Sequence, residues 1–282
     1  MMTNETPKTI QIFLPDGNPR SIKIAEITSR TVQAILIPRS KLDFAAKRDE
    51  LNNVGIYFLI SRETEDVKPV IYIGEAENCL KRLSEHNRNN DFWNTVVVIV
   101  SSKKDFTKSH IKYLEWFCHQ QAEKASRYQI NNSTTPTKSH VTESMEADLL
   151  DHFETIKVLI STLGYPIFDE IPKPVQSDVL ICKGKDAYAE GQYTEDGLIV
   201  FAGSKSNLTE AKSAKTTVVS LRRKLIEDKI LIQEVNAYNF ASDYIFSSPS
   251  AAASVVLARE ANGWLEWKYK NGKTLSEVKR GK

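Results

Sequence analysis

Apolar and polar residues alternate through KTIQIFLPDGNPRSIKIAEI, from Lys8 to Ile27, with Pro15-Asp16-Gly17-Asn18-Pro19 between the two runs. Period-two alternation flanking such a turn predicts a β-hairpin. A further extended run, TVQAILIP, starts at Thr31, and SKLDFAAKRDELNN then reads as a helix opened by Ser40 and ended by Asn52 and Asn53. Strands follow at Gly55 to Ile60 and Val70 to Ile73, separated by a polar turn from Arg62 to Lys68. A helix begins near Glu77 or Asn78. The aliphatic run from Val96 marks a buried strand over Thr95 to Val100. Helices are predicted from about Thr107 to Ala125 and from about Ser144 to Leu163, the second stopped by Gly164 and Pro166. The Asn, Ser, Thr and Pro content from Asn131 to His140 makes the stretch between them a loop.

Three prolines in YPIFDEIPKPVQ disfavour regular structure and place a domain boundary there. Beyond it, two or three short antiparallel strands turn at Glu195-Asp196-Gly197, SLRRKLIEDKIL forms an amphipathic helix, and a Ser248-Pro249 start opens a helix of small residues. A hairpin at Asn271-Gly272 closes the chain. The fold class is therefore α+β: a β-rich N-terminal arm (1–48), a central α/β unit (49–172) and a second, smaller α+β domain (173–282).

Composition narrows the function classes. At 282 residues, 41% hydrophobic and 26% charged, the chain is an ordinary globular protein of more than one unit. No apolar run approaches the roughly 20 residues that cross a bilayer, and the N-terminus lacks a signal-peptide pattern. A cytoplasmic protein with no membrane partner is expected. Cys79, Cys118 and Cys182 are odd in number and unpaired in spacing, so reduced core thiols are expected rather than a disulfide framework or zinc cage. The net charge of +2 decides nothing about nucleic acid by itself.

Local patterns carry more. Asn78, Arg82 and His86 recur every four residues and share one helix face. Such a stripe is either a solvated face or a phosphate site, because Arg offers a permanent forked donor and His exchanges a proton near neutral pH. Glu115 falls within the apolar stripe of Ile111, Leu114, Cys118 and Ala122. A carboxylate there is costly unless it is paired with a Lys or Arg or holds a cation such as Mg²⁺.

Gly55-Ile56-Tyr57 and Tyr72-Ile73-Gly74, followed in order by Arg82, His86, Glu115 and an asparagine at 131 or 132, resemble the GIY-YIG nuclease family. The tail from Ser248 resembles a C-terminal domain of unknown function, the DUF4357 type. The first resemblance implies a small antiparallel sheet flanked by helices and an endonuclease that hydrolyses a DNA phosphodiester by in-line attack of water, using one divalent metal, Mg²⁺ or Mn²⁺. Glu115 matches the family's metal ligand. Tyr57 is the preferred base and Tyr72 the residue that positions water or phosphate, with these two roles open to exchange. Arg82 matches the phosphate clamp, His86 assists the tyrosine, and Asn132 is preferred over Asn131 as the site asparagine. Restriction, phage defence or DNA repair are the roles implied; a catalytically silent nucleic-acid- or protein-binding module is the alternative.

One metal cuts one strand at a time, so duplex cleavage implies a homodimer or a second event. Additional DNA contacts are expected from Lys81, Arg88, Asn89, Asn90, Phe92 and Trp93, with core packing of Trp93 an equal alternative. Arg222, Arg223, Lys224, Trp264, Trp267 and Lys268 are candidates in the second domain for DNA or a protein partner, the tryptophans better read as core. His110, His119, His140 and His152 are expected in surface or capping roles.

Overall fold

A computed structural model describes residues 7–62, 68–170, 178–211 and 214–281. The chain divides into two compact units with the break between Ile171 and Pro172. The expected turn over 63–67 and the proline-rich stretch over 171–177 lie outside the described residues.

The first unit is built on strands β1 (Ile10–Phe13), β2 (Lys23–Ile27), β3 (Val32–Pro38), β4 (Gly55–Ile60), β5 (Val70–Ala76), β6 (Thr95–Ser101) and β7 (Gln129–Ile130). They form one sheet in the order β1-β2-β3-β6-β4-β5-β7, antiparallel except for the parallel β5–β7 pair. Strand β6 lies at the centre because six of its seven residues are buried, so both of its faces need cover. The segment read as a separate N-terminal arm is continuous with this sheet: β3 pairs with β6 from Val32↔Ser101 to Pro38↔Thr95.

Alternation sorts the strand side chains between two cores. Ile56, Phe58 and Ile60 of β4, with Val97 and Ile99 of β6, face helices α3 (Lys108–Ala125) and α4 (Glu143–Thr162). Tyr57 and Leu59, with Val96, Val98 and Val100, face the opposite way, toward the short helix α1 (Leu42–Ala45) and α2 (Cys79–Asn89). The helix expected from Ser40 to Asn53 is broken into 3-10 turns at Arg39–Lys41 and Asp49–Asn52 around α1. Its buried apolar positions are Leu42, Ala45 and Leu51; Arg48 and Asp49 stand where a continuous helix would need the next apolar residue.

The second unit has strands β8 (Val179–Lys183), β9 (Tyr188–Thr194), β10 (Gly197–Val200), β11 (Lys205–Asn207), β12 (Leu231–Gln233), β13 (Ala237–Phe240), β14 (Tyr244–Phe246) and β15 (Lys268–Tyr269) in one antiparallel sheet. Helices α5 (Thr216–Glu227), α6 (Pro249–Leu257), α7 (Gly263–Glu266) and α8 (Leu275–Arg280) accompany it. Seven of the nine residues of α6 are buried, as its small and aliphatic side chains allow. The expected C-terminal hairpin is reduced to a single bridge, Lys268↔Thr274, because β15 pairs instead with β8.

Arg222 on α5 is fully buried, which removes it from the candidate DNA contacts. Its guanidinium donates to Ser206 Oγ and Val255 O at 2.5 Å, to Asn207 O at 2.7 Å and to Glu210 at 3.1 Å. It thereby ties α5 to β11 and α6. Arg222→Ala would remove the donor to Ser206 Oγ, Asn207 O and Val255 O, of which Val255 O keeps its bond from Ser206 Oγ at 2.8 Å, an expected loss of about 3–5 kcal/mol in this unit. Calorimetry of the full chain should show the transition of the second unit lowered and that of the first unchanged; an unaltered profile contradicts this account of Arg222.

Candidate active site

Register brings the two tyrosines together. Tyr57 on β4 stands opposite Gly74 on β5, and Leu59 stands opposite Tyr72. Both phenols therefore leave the same face, with ring centroids 6.2 Å apart and planes inclined by 20°. Gly74 is required by this arrangement: a Cβ there would lie 2.5 Å from Tyr57 Cζ and under 3.0 Å from Tyr72 Cε1. At Gly55 a Cβ would collide with the Ile99 carbonyl of the neighbouring strand. Both glycines of the paired tripeptides thus clear a path for a defined neighbour.

Helix α2 supplies the next layer. Asn78 caps it, its side chain accepting from Lys81 N at 2.9 Å. From the second turn Arg82 Nε donates to the Tyr57 hydroxyl at 3.3 Å, and from the third His86 Nε2 lies 2.9 Å from the same oxygen. The Asn90 amide NH₂ sits 2.7 Å from His86 Nδ1. It donates to that nitrogen, so the neutral ring carries its proton on Nε2 and donates it to Tyr57. Burial, with Arg82 adding to it, pushes the His86 pKa down to about 4, so the ring is neutral near pH 7.

The Tyr57 hydroxyl collects two donors, and the residue is 1% exposed. Burial first, then Tyr72 and Glu115, raise its pKa well above the usual phenol value, while Arg82 works the other way. Tyr72 is half-buried and its hydroxyl makes no hydrogen bond among the described residues. Arg82 is exposed and also pairs with Glu85 at 2.9 Å.

Glu115 lies on α3, across the sheet, half-buried. Its carboxyl accepts from the Glu75 backbone N–H, and burial followed by the Glu75 charge pushes its pKa up to about 7, against a smaller pull from Lys112. Its charge is one of the causes that raise the Tyr57 pKa. The salt-bridge alternative for Glu115 is not realised among the described residues; its charged neighbours include a second carboxylate.

The two adjacent asparagines differ in their contacts. Asn132 Oδ1 accepts from Ile73 N at 3.0 Å and its Nδ2 donates to Ile73 O at 2.7 Å, extending the β5–β7 pairing with a side chain. Both ends of the amide are thus occupied by the backbone between Tyr72 and Gly74. Asn132 thereby holds β5 in place beside Tyr72. Asn131 contributes only its backbone N–H, donated to Ile71 O at 2.7 Å.

Two further expectations change. Trp93 is 1% exposed in the core beneath α2, so it stacks on no base. Trp267 is likewise fully buried, with Nε1 donating to Pro249 O. Among the other histidines, His110 serves as a cap of α3, whereas His119 is buried. All three cysteines are free and buried.

Glu75 and Asn90 are the residues the sequence reading missed in these roles. Glu75 alternates with Ile71 and Ile73 on the strand face turned toward α3, the same carboxylate-in-an-apolar-stripe signal that marked Glu115. Asn90 extends the Asn78, Arg82, His86 series by four more residues.

Among the described residues no group of three or more His, Cys, Asp or Glu is arranged to hold a metal, and no helix is long and apolar enough to cross a membrane. The donor set does fit a hard cation, which takes one or two carboxylates and fills its remaining positions with water and phosphate oxygens. A pair of carboxyls, Glu115 and Glu75, the first pushed toward its protonated form by burial and by the second, provides that.

Comparison with known proteins agrees with this geometry. Residues 53–130 match the GIY-YIG catalytic domain, a span that holds both tyrosines, Arg82, His86 and Glu115, and residues 180–279 match a domain of unknown function, DUF4357. Searches of curated proteins and of solved structures gave no match. The chain thus joins a GIY-YIG catalytic domain, of a nuclease-type family, to a DUF4357 domain.

Proposed function

We propose that this protein is a metal-dependent endonuclease that hydrolyses DNA phosphodiesters by in-line attack of water, leaving a 5′-phosphate and a 3′-hydroxyl. The observation that carries the reading is the convergence of Arg82 Nε and His86 Nε2 on the Tyr57 hydroxyl, whose pKa also feels the charge of Glu115. Glu115, supported by Glu75, would hold the divalent cation, Mg²⁺ or Mn²⁺. Bound there, it would supply positive charge to the scissile phosphate and the leaving oxygen.

The chain's own groups divide the remaining work. Tyr57 acts as base in its phenolate form, its own proton having left to solvent, and takes the proton of the attacking water. The two N–H donors already aimed at its oxygen stabilise the negative charge that this role requires, in a site where they need no reorganisation. Arg82, exposed on its outer side, presents the rest of its guanidinium to the phosphate. Tyr72, with an unengaged hydroxyl, orients the water or a phosphate oxygen. His86 remains neutral and holds Tyr57, with Asn90 fixing its tautomer.

The test is a cleavage panel of single-stranded, duplex, branched and methylated DNA, with RNA included, in Mg²⁺ or Mn²⁺. Wild type should cleave at least one DNA substrate and lose that activity in chelator. Tyr57→Phe and Arg82→Ala should each lower the rate about 10²–10⁴-fold. Binding that survives chelation with no cleavage of any substrate would instead identify a silent binding module on this scaffold. The restriction, defence or repair setting follows from which substrate is cut, and a second-order dependence of duplex cleavage on protein would indicate a homodimer.

A further inference from the structure

Apart from the tyrosine cluster, the first unit carries an open cleft of about 790 Å³ lined by Arg20, Lys23, Arg39, Asn87, Asn94 and Thr95 among others, with no Asp or Glu in its wall. Arg20 lies in the β1–β2 connection and Lys23 opens β2, so both precede the matched catalytic segment. Neither makes an ion pair among the described residues, and Arg20 is exposed. Two cations without an ion pair, in a wall whose carboxylate contact among the described residues is the Asp91 bonded to Arg39, beside amide and hydroxyl groups, form an anion surface rather than an ordinary mixed-charge face.

Arg39 connects this cleft to the catalytic helix. Its Nε donates to Asn87 Oδ1 at 2.8 Å, Nη2 to Asn87 O at 2.8 Å and to Asp91 at 3.0 Å, and Nη1 to Trp93 O at 3.2 Å, while the guanidinium lies 4.9 Å over the Trp93 ring. Asn87 lies five residues beyond Arg82 on α2, about 7 Å along the helix axis. One residue of the cleft wall, Asn87, therefore sits on the same helix as Arg82.

We infer that the Arg20–Lys23–Arg39 cleft binds the phosphate backbone of the substrate strand to one side of the scissile bond. This rests on the endonuclease reading for its choice of ligand. Arg20 and Lys23 supply the unneutralised charge. Arg39, largely occupied by its own hydrogen bonds, fixes the cleft wall against α2 and adds a partly neutralised cation. Contacts of this kind are sequence-independent and set register along the strand.

The inference is tested with fluorescence anisotropy of a labelled oligonucleotide in chelator, where no cleavage occurs. The double variant Arg20→Gln/Lys23→Gln should weaken binding about tenfold or more at moderate salt and reduce the slope of log K against log salt by about 1–2. Arg20→Glu alone should weaken it further than Arg20→Gln. Under cleavage conditions the double variant's loss should appear in KM. Unchanged affinity and salt slope in a folded double variant overturn the cleft as a backbone site, and so does displacement of the oligonucleotide by an equal concentration of mononucleotide or inorganic phosphate, which would make it a small-anion pocket. The two readings fail separately. A wild type that never cleaves but binds through Arg20 and Lys23 keeps the cleft and removes the nuclease; one that cleaves and binds independently of them does the reverse.

Discussion

Glu115→Gln is expected to abolish cleavage and, in the metal-free protein, to raise stability. The carboxyl's folded pKa of about 7 stands above its ordinary 4.5, raised by burial and by Glu75. A group whose pKa is raised on folding contributes its stability fully below the unfolded value and loses it as pH rises through the folded one. Between pH 4.5 and 7 the wild type should therefore lose stability that the glutamine variant keeps. At pH 8 the variant should be more stable by about 2–3 kcal/mol, since a tenfold change in proton affinity is worth about 1.4 kcal/mol and the carboxyl's partial exposure to solvent reduces the total. Urea midpoints at pH 5 and pH 8, with and without Mg²⁺, measure this. The wild type should gain stability on adding Mg²⁺ at pH 8, because a cation that binds only the folded state shifts the equilibrium by mass action. The variant should gain none. A variant no more stable than wild type at pH 8, or one that still cleaves, contradicts the role given to Glu115.

This exchange of stability for function explains what sequence could and could not disclose. Glu115 was legible because helix periodicity is local: residues 111, 114, 118 and 122 define a stripe, and a carboxylate inside it needs a reason. Tyr57 and Tyr72 were legible as a pair, but their shared face depends on the Tyr57↔Gly74 register, which is set across the sheet. The charge around Tyr57 was not legible. Its two donors come from α2, folded onto the strand from about 25 to 29 residues away, and burial moves the phenol's pKa in the direction opposite to that of a nearby guanidinium. Arg222 shows the same limit. A cluster Arg222-Arg223-Lys224 looks like a nucleic-acid face until β11 and α6 close over its first member. Strand pairing also decided the N-terminal segment, since an alternating hairpin reads alike whether it stands apart or joins a sheet through β3 and β6. That the Asn132 side chain and not that of Asn131 bonds the Ile73 backbone depends on one residue of register, which local sequence does not carry.

Gly74→Ala should lower cleavage by at least about 100-fold while the protein stays folded. Its added methyl would enter the space of the Tyr57 ring, 2.5 Å from Cζ, and approach Tyr72 from the same side. These are side chains, so the strand pairing can survive if Tyr57 turns away, and overpacking of this kind costs about 1–3 kcal/mol. The displaced phenol would lose its contacts with His86 Nε2 and Arg82 Nε, and a misplacement of about 1 Å is enough for a loss of this size. Gly55→Ala is the contrasting case: its methyl meets the Ile99 backbone carbonyl, which cannot rotate away, so the damage should fall on the β4–β6 pairing and hence on stability. The decisive measurement is a double-mutant cycle. If Gly74→Ala acts by displacing the Tyr57 hydroxyl, adding Tyr57→Phe should cost little more, because the second change removes a group already out of place. Fully additive losses would mean that Gly74 serves the reaction by another route, and wild-type cleavage by Gly74→Ala would mean that the position of Tyr57 in this structure is not the one the chemistry uses.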